Sequence, residues 1–165
     1  MTLLLILLWA GLLLWTGLLL WAAGNLRRYP MVAASQDFAL SSHPRISILI
    51  PARNEARILA RTLPKVLEQD YDPYEVILVD DASTDGTGEL AAKLQRLHPD
   101  KLRLLRVEKL PAGWVGKTHA LHQGFQAATG DWVLATDADI VLHPKALQAG
   151  MWLAERQQAE LVSIF

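Results

Sequence analysis

From Leu3 to Ala23 the chain carries no charged residue; leucine fills most positions, with Trp9, Trp15 and Trp21 between them. As an α-helix such a run reaches about 30 Å, the hydrocarbon thickness of a bilayer, and it is apolar on every side, as a helix packed in a soluble core rarely is. A retained membrane anchor is the expectation. The alternative is a cleaved signal peptide, for which Ala22, Ala23 and Gly24 offer small residues, but no basic segment precedes the run and it exceeds the usual apolar core of a signal. Arg27 and Arg28 follow directly, so the positive-inside asymmetry places the rest of the chain in the cytoplasm, single-pass in the cell (inner) membrane. Residues 1–26 are then the anchor, 27–44 a juxtamembrane linker and 45–165 the folded part.

Beyond the linker the pattern changes to short β-branched runs alternating with helical periods. Ile46–Ile50 is a buried strand ended by Pro51. Ala56–Glu68 repeats apolar residues at helical spacing, with Pro64 implying a kink or a late start. Glu75–Val79 is a second strand running into Asp80-Asp81. Thr87–Leu97 is an amphipathic helix, for which Thr84 or Asp85 is the expected N-cap. Leu102–Val107 is a third strand, Lys117–Ala128 a helix closed by Thr129-Gly130, and Trp132–Ala135 a fourth strand. Pro144 to about Gln157 is helical, and Leu161–Phe165 begins a fifth strand. Such alternation implies βαβ units, right-handed crossovers and an α/β fold with a mainly parallel sheet flanked by helices. Ligands of such sheets bind beyond the carboxyl ends of the strands, where strand order reverses.

Composition and failed motifs exclude several chemistries. The sequence has no cysteine, hence no disulfide, thiolate zinc site or cysteine nucleophile. It has 16 lysines and arginines against 17 aspartates and glutamates, which gives no electrostatic footprint for nucleic acid. Gly113–Thr118 approaches a phosphate-binding P-loop, but Pro111 stands where that pattern needs glycine. No G-x-G-x-x-G follows the first strand and no G-x-S-x-G is present. His119 and His122, one helical turn apart, and His143 have no third metal ligand nearby and are taken as ordinary polar residues.

The residues that carry chemistry stand at strand ends: Pro51-Ala52-Arg53-Asn54-Glu55, then Asp80 to Thr87, then Thr136-Asp137-Ala138-Asp139. Crowding carboxylates on one edge costs repulsion unless a cation or hydrogen-bond donors compensate. In extended conformation Asp137 and Asp139 share one side and reach a hard divalent cation, Mg²⁺ or Mn²⁺, that keeps positions open for phosphate oxygens. Their alternative is a solvated turn. Asp80 and Asp81, with Asn54 and Glu55, either cap helices or accept hydrogen bonds from a base N–H or a ribose hydroxyl. Arg53 pairs with a carboxylate or faces a phosphate, and Lys117, at a helix start, meets a phosphate or is a surface lysine.

Taken together, Ile48–Glu55, Val76–Thr87 and Thr136–Asp139 resemble the family 2 glycosyltransferases, which have a GT-A fold. Pro111–Lys117, followed by Ala120-Leu121, resembles more narrowly the membrane-anchored branch associated with hopanoid biosynthesis. The resemblance covers residues 45–165, the nucleotide-sugar-binding part of that domain. It implies donor contacts at Pro51, Arg53, Asn54, Glu55, Asp80 or Asp81, Lys117 and Asp137. It also implies Mn²⁺ or Mg²⁺ held by Asp139 with Asp137, a UDP-sugar as the usual donor, and a lipid or other hydroxyl acceptor. The family's catalytic base comes later in its sequence, so it is expected beyond Phe165 and the chain is expected to be truncated. Two other readings remain open at this point: a non-catalytic nucleotide-sugar-binding fragment, and a receiver-type signalling domain suggested by the acidic pair after an apolar strand.

Overall fold

The computed structural model describes residues 2–26 and 37–163, in two units divided after Gln36. The first is a single helix, α1 (Thr2–Leu26). Its segment Leu5–Asn25 is long and apolar enough to cross a membrane. Arg27, Arg28 and the linker as far as residue 36 lie outside the described residues.

The second unit runs β1 (Ile46–Ala52), α2 (Ala56–Leu67), β2 (Tyr74–Asp81), α3 (Thr87–Leu97), β3 (Leu102–Val107), α4 (Gly116–Ala127), β4 (Trp132–Ala135) and α5 (Ala146–Gln157). Its strands form one sheet in the order β3-β2-β1-β4, parallel throughout. Strand β1 therefore has β2 on one side and β4 on the other, and strand order reverses beside it.

Both faces of β1 and β2 are covered, as a parallel sheet requires, which is why these strands read as nearly continuous apolar runs. Alternate residues go to opposite faces. Ile46, Ile48, Ile50 and Ala52 pack with Val76 and Leu78 against Leu59, Leu63 and Val66 of α2, Ala91 of α3, and Leu147 and Met151 of α5. Leu49, Ile77, Val79 and Val107 turn the other way, onto Ala120 of α4.

Several boundaries differ from expectation. Strand β1 continues through Pro51 to Ala52, and β2 takes in Asp80 and Asp81. Leu49 turns its carbonyl to Thr136 on the β4 side, so Pro51, two residues on, turns its missing N–H to the same side, where the β4 ladder has ended. Helix α2 starts at Ala56 and is assigned without interruption through Pro64. The carbonyl deprived of a donor there belongs to Ala60, which is exposed to water. Residues 161–163 carry no strand, and 164–165, the rest of the expected fifth strand, lie outside the described residues.

At the amino ends of the strands, on the α4 face, one buried polar cluster interrupts the apolar core. The Ser47 hydroxyl donates to Glu75 Oε1 at 2.7 Å, and both the backbone N–H and the hydroxyl of Thr129 donate to the same oxygen at 2.7 Å. Gly130 N–H donates to Ser47 Oγ at 2.8 Å, and a Cβ on Gly130 would lie 2.6 Å from the Ser47 backbone nitrogen. Burial alone would raise the Glu75 pKa, but the hydrogen bonds from Ser47 and Thr129, with Arg45 nearby, hold it below its ordinary value. The stabilisation is present above the unfolded value of 4.5 and is lost as pH falls through the lower folded value. Glu75→Ala orphans these donors and is expected to cost about 2–4 kcal/mol of unfolding free energy at pH 7. Urea unfolding from pH 7 to pH 3 checks this, with the variant losing less stability on acidification than the parent.

Candidate functional site

The carboxyl ends of β1, β2 and β4 border an open cavity of about 420 Å³ beside the reversal of strand order. Asp80 and Asp81, adjacent in sequence at the end of β2, go to opposite faces of the sheet. Asp81 takes the α4 face and lines the cavity. Its side chain is 8% exposed and lies 3.6 Å from Arg53, which extends the same alternation from β1. The first residue of α4, Gly116, is where the helix passes the Asp81 carboxylate, and a Cβ there would collide with Oδ2. Asp80 is buried on the other face. Its Oδ1 accepts the Ser83 N–H at 3.1 Å, and it does not line the cavity.

The loops leaving β1 and β2 are laced together by residues that looked from sequence like binding groups or caps. Asn54 N–H donates to Ser83 Oγ at 2.9 Å, and Thr84 N–H returns a bond to Asn54 Oδ1 at 2.9 Å. Glu55 N–H donates to the fully buried Thr87 Oγ1 at 2.9 Å, and Ala56 N–H to Asp85 Oδ2 at 3.0 Å. The free donors at the start of α2 are thus satisfied from the neighbouring loop. Asp85 is held below its ordinary pKa chiefly by the Thr87 hydroxyl, with help from the Ala56 and Thr87 N–H groups. The cap residue of α3 is Gly86, at φ 94°, rather than Thr84 or Asp85. Glycine suits this left-handed position, while Asp85 accepts the next N–H, that of Thr87. Asn54 and Ala82 also have positive φ, so both loops turn sharply as they leave the sheet.

The expected extended D-x-D is a turn. Thr136 N–H donates to Leu49 O at 3.1 Å and prolongs the ladder, then Ile140 N–H closes on Asp137 O at 3.3 Å. Ala138 is buried at the centre of the turn, where its carbonyl accepts the Thr62 hydroxyl of α2 at 2.7 Å. Asp137 and Asp139 flank it, exposed, and both line the cavity. Lys117 Nζ sits 2.7 Å from Asp137 Oδ1, with both side chains more than half exposed. Asp139 makes no ion pair among the described residues. Pro51 and Glu55 complete the rim, and Asp139 and Glu55 also border a second cavity of about 380 Å³, where Asn54 lies.

These residues fit a hard divalent cation. The cavity is lined by the carboxylates of Glu55, Asp81, Asp137 and Asp139, and Asp139 makes no ion pair among the described residues. No group of three or more His, Asp or Glu side chains among the described residues is placed to hold a metal ion by itself, so a cation would need oxygens from a ligand as well. Two carboxylates with open positions suit a cation that shares phosphate oxygens. His119 and His122 lie outside the cavity lining and pack against the Trp114 ring, at centroid distances of 5.3 and 5.0 Å.

Thr62 was not singled out from sequence, although a polar residue on the buried face of an amphipathic helix is a signal. Thr87 and Gly116 fell within motifs read from sequence, the acidic segment after β2 and the P-loop-like segment, but the contacts they make here were not foreseen.

A parallel sheet with acidic groups around a cleft at the reversal of strand order is the architecture of nucleotide-binding α/β proteins. The comparisons sharpen that class. Residues 47–164 match the family described as glycosyl transferase family 2, and the chain belongs to this family. An uncharacterized glycosyltransferase of Nostoc sp. is 38% identical over 104 residues, 63% of this chain and 31% of the relative. The 4,4'-diaponeurosporenoate glycosyltransferase of Staphylococcus aureus is 32% identical over 114 residues, 69% of this chain and 28% of the relative. Among solved structures, a mannosyltransferase from Pyrobaculum calidifontis in complex with GDP-Man and Mn²⁺ is 34% identical with a TM-score of 0.66, over 83% of this chain and 39% of that one. Staphylococcus aureus TarS 1–349 in complex with UDP is 25% identical with a TM-score of 0.55, over 69% of this chain and 33% of that one. The fold is thus GT-A, and the chain spans less than half the length of these relatives. The receiver-type reading gives way to this membership.

Thr87→Val keeps the volume but removes the acceptor for Glu55 N–H. It is expected to cost about 1–3 kcal/mol, while Thr87→Ser retains most of the stability. Chemical denaturation of the two variants side by side checks this.

Proposed function

We propose that this chain is the donor-binding part of a membrane-anchored glycosyltransferase that moves a sugar from a nucleotide diphosphate to an acceptor hydroxyl. The observation that carries the reading is the convergence of Asp81, Arg53, Lys117, Asp137 and Asp139 around one cavity at the reversal of strand order. In this reading Asp81, near the start of α4, accepts hydrogen bonds from the nucleoside, and Arg53 holds its carboxylate in place. Lys117 and the start of α4 take the diphosphate. Asp80 and Asn54, placed as they are, support the loops that shape the pocket. Asp137 and Asp139 hold Mn²⁺ or Mg²⁺, which when bound neutralises charge on the departing diphosphate. The solved mannosyltransferase bound to GDP-Man and Mn²⁺ supports both the donor class and the metal. TarS bound to UDP supports the choice of UDP as first probe.

Helix α1 supports a membrane anchor, and Arg27 and Arg28 directly after it in the sequence support a cytoplasmic folded part. A site tethered to a bilayer favours a lipid acceptor. The narrower likeness to the hopanoid-associated branch rests on Pro111–Lys117.

Calorimetric titration with UDP and with GDP, each with and without Mn²⁺, tests the donor site. Binding is expected to strengthen with Mn²⁺ and to weaken at least about tenfold in Asp139→Asn. Binding indifferent to both Mn²⁺ and this substitution would sink the reading. Deleting residues 1–26 is expected to move the protein from the membrane pellet to the supernatant after ultracentrifugation, whereas an unchanged pellet would remove α1 as the anchor.

A further inference from the structure

We propose that Lys117 is the built-in counter-ion of the metal site, which it occupies until cation and diphosphate arrive together. The inference rests on the assignment of Asp137 and Asp139 as metal ligands and adds a role for the lysine that faces them.

The Lys117–Asp137 pair, at 2.7 Å, is the tightest ion pair of the site. The other cation at the cavity, Arg53, is engaged by Asp81 at 3.6 Å. Asp139 has no such partner among the described residues, so the ammonium neutralises one of the two metal-facing carboxylates and leaves the other open. Lys117 is the second residue of α4, and its side chain is 57% exposed. Among the described residues its ammonium bonds no group other than Asp137, so it is free to swing on its four-carbon stem.

A bare divalent cation arriving at Asp137 and Asp139 meets a positive charge already seated there, and finds only two protein carboxylates, since no third ligand converges among the described residues. It must expel the ammonium into water for a small return. A nucleotide diphosphate changes both terms. Its oxygens complete the cation's coordination and give Lys117 a new anion to bind, so the lysine leaves Asp137 without losing its partner. Lys117 therefore opposes the cation when alone and supports it when accompanied, and cation and diphosphate strengthen each other's binding reciprocally.

Lys117→Gln separates the two roles because its effects have opposite signs. Without nucleotide, the variant is expected to bind Mn²⁺ about two- to fivefold more tightly than the parent, the range of an exposed ion pair. At saturating Mn²⁺ it is expected to bind UDP about tenfold more weakly, the loss of a charge-assisted hydrogen bond to phosphate. Lys117→Arg, which keeps the charge, should stay near the parent in both. The free-Mn²⁺ signal in electron paramagnetic resonance and calorimetry with UDP, on the full chain in detergent, read both quantities without requiring turnover. If Lys117→Gln binds Mn²⁺ no more tightly while Asp139→Asn still loses it, the counter-ion role is overturned and the metal assignment stands. If Asp139→Asn leaves Mn²⁺ binding unchanged, the metal assignment fails and the inference falls with it.

Discussion

Strand β1 is hydrogen-bonded to β2 on one side and β4 on the other, and the rest of the folded unit depends on that double pairing. Two parallel neighbours require crossovers, and the crossovers put α2 and α3 on one face and α4 on the other, with α5, after β4, joining α2 and α3. Both faces of β1 are then dry, so its polar exception, Ser47, must be matched, as it is by Glu75 and Gly130. Strand order reverses beside β1 because the chain returns through α4, on the other face of the sheet, to lay β4 against β1, and the carboxyl ends of these strands border the cavity. The site is thus a consequence of topology before any polar residue is placed in it.

What the polar residues do there is decided by two periodicities. The two-residue repeat of a strand separates Asp80 from Asp81, giving one to the support of a loop and the other to the cavity. In the D-x-D turn the middle residue faces the core, with its carbonyl held by Thr62, and the flanking carboxylates face outward. Buried alanine and exposed aspartates are two sides of the same local geometry. The loops are braced to each other by hydrogen bonds, since the N–H groups at the start of α2 are satisfied by Ser83, Thr87 and Asp85.

The electrostatics follow a consistent logic. Asp81, the more buried of the cavity carboxylates that form ion pairs, is beside an arginine whose planar, permanently charged head suits a fixed partnership. Asp137, exposed, is beside a lysine whose flexible stem suits a replaceable one. In the proposed function this arrangement serves a site that receives a highly charged donor and later releases a charged product.

The sequence by itself determined the alternation of strands and helices, the parallel class of the sheet, the three acidic strand ends and the family they belong to. Those signals are local: β-branched runs, helical spacing and motifs a few residues long. The tertiary structure decided which of the paired aspartates lines the cavity, that the D-x-D is a turn, and that Asn54, Ser83 and Asp85 brace loops. It also brought in Thr62 and the contacts of Thr87 and Gly116. These depend on partners far away in the chain, such as the Thr62 bond to Ala138 across 76 positions. A side chain that can cap a helix, brace a loop or meet a ligand has the same appearance in sequence, and only the neighbour that folding brings to it selects among those uses.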